Sequence, residues 1–72
     1  MLTATQIDSV LEVLGAIPEQ HMAAGRPIDW GPPGNKDRAL ALAAMNGDRF
    51  DPSCTSCDFD LWVTLRHIAR RA

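Results

Sequence analysis

The sequence predicts an all-α fold, a small bundle of three main helices plus a short helix, with a long Pro/Gly-rich loop. Apolar residues recur at three- and four-residue intervals in three stretches, each flanked by residues that cap or break helices. No stretch alternates with period two, so no sheet is expected. Residues 26–35, "RPIDWGPPGN", hold three prolines and two glycines and can form neither element. The 72 residues are expected to make a single helical domain spanning 1–72. Folding at this size hides only about 60% of the surface that the unfolded chain exposes. Such a core carries little surplus, and a staple, a metal or a partner often supplements it.

The first helix lies in "TATQIDSVLEVLGAI". Thr3 and Gln6 have the capping-box spacing, in which hydroxyl and side-chain amide serve backbone N–H groups reciprocally. Ile7, Val10, Leu11, Leu14 and Ile17 recur on one helical face, with Val13 beside the stripe. Pro18 ends this helix or opens another. In "PEQHMAAG", proline suits a first helical position and Gly25 a C′ position, which predicts the short helix at 18–24. In the loop that follows, Pro33-Gly34 has type II turn chemistry, and Ile28 and Trp30 are expected to fold back as a lid over the helices.

The next main helix is expected to start with Asn35 as N-cap and to end before Gly47 at C′. Its apolar side is alanine-rich (Ala39, Leu40, Ala43 and Ala44, flanked by Leu42 and Met45), which predicts close approach of a neighbour and a central place. In the last helix, Thr55 and Asp58 have a capping-box-like spacing, and Asp51-Pro52 offers an earlier start. Leu61, Leu65 and Ile68 form one stripe, widened by Phe59, Trp62 and Val63 beyond what one small core needs.

Composition narrows the function classes. A hydrophobic fraction of 46% with 22% charged residues is that of a globular domain and argues against disorder. No stretch approaches the roughly 20 apolar residues needed to span a bilayer, and no basic residue precedes an apolar run at the N-terminus. No membrane partner and a cytoplasmic address are therefore expected. The net charge of −2 and pI near 5.4 speak against a general nucleic-acid binder. Charge is unevenly placed: residues 1–25 carry Asp8, Glu12 and Glu19 without a lysine or arginine, whereas residues 66–72 carry Arg66, Arg70 and Arg71 without an acid.

Cys54 and Cys57 stand at Cys-x-x-Cys spacing, half of a common tetrahedral zinc site. His67 cannot complete it, because ten helical residues beyond Cys57 place it about 15 Å away. His21 is the remaining histidine, and Asp51 or Asp58 would supply oxygen. A thiol at a helix start also suits redox chemistry, but the βαβ context of thioredoxin-like proteins is missing. With no secretory signal in view, free thiols acting as small hydrophobes are the preferred expectation, with no cofactor.

Arg66 and Arg70 share a helical face and could contact phosphates, yet cations in a last helical turn also simply offset the dipole. The gap "GDRFDPSCTSCD" exceeds the turn of a helix-turn-helix. Catalysis would need a nucleophile, a base and an orienting group to converge, and Cys57 with His21 is the one pairing worth naming. "GPPGN" lacks the lysine of a phosphate loop. Tryptophan and arginine dominate binding energy at many interfaces. Trp30, Trp62, Arg66, Arg70 and Arg71 are therefore the expected partner-binding residues, with a core role favoured more for Trp62 than for Trp30.

The expected function is that of a small non-enzymatic regulator or inhibitor that binds a protein partner stoichiometrically. An inhibitor of a host complex encoded by a phage or mobile element is one concrete form, suggested by size alone. A small DNA-binding transcriptional regulator and a zinc-stabilised adaptor domain are the alternatives, and homodimerisation is compatible with all three.

Overall fold

The structure, a computed structural model, describes residues 2–18 and 22–71. Three helices, α1 (Ala4–Gly15), α2 (Asn35–Met45) and α3 (Asp58–Arg71), each pack against the other two, and a single 3-10 turn at Thr55–Cys57 leads into α3. No strand occurs among the described residues. The fold is all-α, as the periodicities predict. No one helix is central, because all three share the core equally rather than closing around the alanines of α2.

The caps of α1 and α2 follow sequence chemistry. Thr3 and Gln6 form both bonds of the capping box, with the Thr3 hydroxyl accepting from Gln6 N at 3.2 Å and Gln6 Oε1 accepting from Thr3 N at 2.8 Å. At the far end of α2, Gly47 N donates to Ala44 O and Asp48 N to Ala43 O, the paired bonds of a Schellman motif. Gly47 takes the φ of +90° that this motif demands of its C′ residue.

Val10, Val13, Leu61 and Leu65 are the largest side chains sealed completely in the core. Each contributes on the order of 1.5–3 kcal/mol by leaving water. The α3 stripe lies inward as predicted. On α1 the inward row is shifted by part of a turn. Val13 is at the centre of the core and Leu11 is 53% exposed, because both α2 and α3 approach from the Val13 side. On α2, Ala39, Leu42 and Ala43 are buried, while Ala44 and Met45 face outward.

The loop 26–34 runs over the surface and turns two side chains into the core. Ile28 and Trp30 are buried between the helices, so the expected lid forms. Asn35 N donates to Pro32 O at 3.2 Å, and Gly34 has φ +84° and ψ −7°, the values of the third residue of a type II turn. Gly31, at φ +80°, backs directly onto the Ala16 carbonyl oxygen, and a Cβ there would overlap it.

Two polar side chains are buried among the described residues, and both hold this loop. Asn35 is the first residue of α2; Gly34, not Asn35, is its N-cap. The Asn35 amide instead donates to Trp30 O at 2.8 Å and to Val13 O at 3.1 Å, tying loop and α1 to α2. Asp58 is the first residue of α3. The expected pairing with Thr55 is replaced by long-range bonds: Ile28 N donates to Asp58 Oδ2 at 3.0 Å, and Lys36 Nζ lies 2.8 Å from Oδ1. The Trp30 indole N–H, buried and without a hydrogen bond of good geometry, also acts on this carboxylate.

The short helix expected at 18–24 is absent from the part that the structure describes. Residues 22–26 form a turn, with Arg26 N bonded to Ala23 O and Gly25 at φ +78°, and residues 19–21 lie outside the described residues. Gly25 therefore closes a turn rather than a helix.

Two predictions test this clasp. Asn35→Asp should destabilise the fold by about 2 kcal/mol in denaturant unfolding, because the carboxylate keeps the shape but has no N–H to donate. A capping role would instead leave that substitution neutral or favourable. The second concerns acid. Burial opposes ionisation of Asp58, yet the Ile28 N–H, Lys36 and the Trp30 indole together hold its carboxyl below the usual range. Its contribution to stability is therefore complete above the unfolded-chain pKa of about 4 and is lost as pH falls through the lower folded value. In melts taken from pH 7 to pH 2, Asp58→Asn should be less stable at neutral pH and lose less on acidification. The exposed Asp51, also lowered by bonds from Ser53, leaves a smaller residual dependence.

Candidate interaction surface

Beside the inward row of α3 runs a half-buried flank that is partly open to solvent. Phe59, Trp62, Val63, Arg66 and Arg70 follow at helical spacing along that side. Trp62 is half-buried, its ring centroid 5.7 Å from that of Phe59 at a tilt of 39°. The Arg66 guanidinium carbon sits 4.8 Å from the Trp62 ring centroid, a cation–π distance worth on the order of 0.5–1 kcal/mol at an exposed site. A shallow cleft of about 70 Å³ opens between Trp62, Val63, Arg66, His67 and Arg70. The result is a ridge of two aromatic rings capped by a guanidinium, with a further arginine one turn on.

This ridge is electropositive for a local reason. Of the acids on α3, Asp58 is buried and paired with Lys36, and Asp60 lies at the other end of the helix. Arg70 and Arg71 form no ion pair among the described residues. They occupy the last turn, where they also offset the negative end of the helix dipole. Arg71 points away from the ridge, toward a wider groove of about 590 Å³ whose floor includes Leu2, Ile7 and Ile68 and whose rim includes Asp48 and His67. No protein-family model, no curated protein and no solved structure matches this chain.

The structure thus separates the five residues expected to bind a partner. Trp62, Arg66 and Arg70 converge on one face, Arg71 borders the adjoining groove, and Trp30 is 7% exposed inside the core. Trp30 takes the fully buried place that the sequence favours for Trp62. Trp30 is on a loop, but Asn35 and Asp58 turn its side chain inward; Trp62 is on the widened flank of α3, half-buried against the edge of the core.

Cys54 and Cys57 are joined in a disulfide, with Cα atoms 5.4 Å apart, and no described cysteine is free. This corrects the expectation of free thiols. The tight 3-10 turn brings the two Cα atoms within ordinary disulfide reach, and burial among apolar side chains plays no part. Bonded to each other, the sulfurs offer no thiolates to zinc. His21, the third proposed ligand, lies outside the described residues. No group of three or more metal-ligating side chains is assembled among the described residues. Among them, too, no helix is long and apolar enough to cross a membrane.

Phe59 and Lys36 are the residues of consequence that sequence reasoning passed over as individuals. Phe59 stands three residues before Trp62, the spacing at which helical rings meet. Lys36 gave no local signal, since its partner is 22 residues away.

The division of α3 into two sides predicts unequal costs of truncation. Leu61→Ala should lower stability by about 2–5 kcal/mol, and Trp62→Ala by about 1 kcal/mol, in denaturant unfolding followed by circular dichroism.

Proposed function

We propose that this protein is a small non-enzymatic regulator or inhibitor that acts by stoichiometric binding of a protein partner through the outer side of α3. The observation that carries the proposal is the Phe59–Trp62–Arg66 stack, half-exposed and continued by Arg70. Tryptophan and arginine contribute most to binding when they meet a partner in a desolvated pocket, and here they are presented together on a rigid helix. The supporting chemistry defines the partner: an acidic surface with an apolar notch, which would cover the rings and neutralise Arg66 and Arg70. A hydrophobic centre within a charged rim is the usual anatomy of such contacts.

Affinity capture with the full chain as bait should recover one dominant partner, and titration calorimetry should give a fixed whole-number stoichiometry. Trp62→Ala and Arg70→Glu should each weaken that complex at least tenfold while leaving the helical circular dichroism unchanged. Retention of full affinity by both variants would remove this face from the interaction. Light scattering on the isolated chain distinguishes a foreign partner from a second copy.

A further inference from the structure

We infer that the Cys54–Cys57 bridge is a reversible thiol–disulfide exchange site, opened by a dithiol reductant, and that its state governs how firmly Asp58 holds the core loop. The bridge closes a turn of four residues, and the residue after it is Asp58. Asp58 accepts from the Ile28 backbone and pairs with Lys36, so the heading at which α3 begins sets the position of the carboxylate to which the loop is tied. Apart from the bridge, the turn has two backbone bonds of its own, Cys57 N to Cys54 O at 3.3 Å and Asp58 N to Thr55 O, and 3-10 geometry makes both poor ones. Opening the bridge therefore relaxes the dihedrals of Thr55 and Ser56 and lets the carboxylate withdraw.

Both cysteines are half-buried, which leaves the bridge within reach of an attacking thiolate. Ser56 Oγ lies 3.5 Å from Cys54 Sγ, and since a disulfide sulfur carries no hydrogen, the hydroxyl is the donor. That contact favours Cys54 as the leaving group. A thiolate of the dithiol attacks Cys57 Sγ, the Cys54–Cys57 bond breaks, and Cys54 departs as a thiolate that takes a proton from water. The second thiolate of the reductant then attacks its own sulfur in the mixed disulfide and releases Cys57. Two electrons pass to the bridge, and the dithiol becomes a disulfide; the reverse sequence, with a disulfide as oxidant, closes the bridge again.

The test uses the full chain carrying Trp62→Phe, so that Trp30 is the remaining indole. The protein is equilibrated in buffers of increasing reduced-to-oxidised dithiothreitol ratio, and alkylation with mass spectrometry counts the opened thiols. Opening should be reversible, should at least double the quenching of Trp30 fluorescence by acrylamide, should lower the melting temperature by roughly 5–10 °C, and should preserve the helical circular dichroism. The double substitution Cys54→Ser with Cys57→Ser should show the reduced-state quenching in every buffer. Three results would overturn the inference: a bridge that stays shut in native protein under excess dithiothreitol, a bridge that opens with no change at Trp30, or loss of helix on opening. The last would make the bridge a structural staple, and it is read on the parent chain even if the double variant does not fold.

Discussion

The ion pair of Asp58 and Lys36, with the Ile28 N–H as its third member, is the constraint around which this small fold is arranged. A loop with three prolines and two glycines has few ways to satisfy its own backbone, and burying it without partners would cost several kcal/mol. Placing a carboxylate at the start of α3 and an amide at the start of α2 gives the loop partners at its beginning and end. A buried charge pair is a poor source of net stability, because desolvation offsets most of the attraction. Its effect here is positional. An apolar residue at 58 could fill the same volume but would leave Ile28 N without an acceptor and the loop without a fixed depth.

That depth decides which indole is inside. The core of a 72-residue chain closes around Val10, Val13, Leu61 and Leu65, and one tryptophan nearly completes it. Because Asn35 takes the carbonyl of Trp30 and Asp58 the amide of Ile28, the loop must deliver Trp30 inward. Trp62, beside the buried stripe, is left at the edge of the core, half-buried against it. Its outer side finds cover from Phe59 and Arg66. The surface feature is thus a consequence of the loop clasp.

Much of the fold was legible because its signals are local. The Thr3–Gln6 capping box, the Pro33-Gly34 turn, the C′ glycine at 47 and the Leu61–Leu65–Ile68 stripe each depend on residues within one or two turns, and each forms. The failures are of the opposite kind. Asn35 and Asp58 both carry side chains that cap helices, and local propensity assigned them that duty, whereas their actual partners lie up to 30 residues away. Val13 and Leu11 changed places for the same reason, since the periodicity of one helix names a face but not the direction from which two neighbours arrive. The disulfide was missed because it was argued from the cell compartment rather than from the tightness of a turn around "CTSC". Of the proposed interaction face, Trp62, Arg66 and Arg70 are candidates by residue type; the burial of Trp30 was not legible, because it depends on the loop's long-range bonds.

A single rigid helix carries both halves of this arrangement. Along α3, positions 58, 61, 65 and 68 face the core, positions 59, 62 and 66 are half-buried on its flank, and position 70 is exposed. A helix transmits a rotation about its axis to every residue it contains, so a change of heading at Asp58 cannot leave Trp62 unmoved. Trp62 lies one turn along from the clasp, close enough that a shift of an ångström in the first turn is felt in full. Arg70, three turns on, turns about the same axis, and the burial of Leu65 and Ile68 resists that rotation. The ridge therefore follows the clasp as one rigid body.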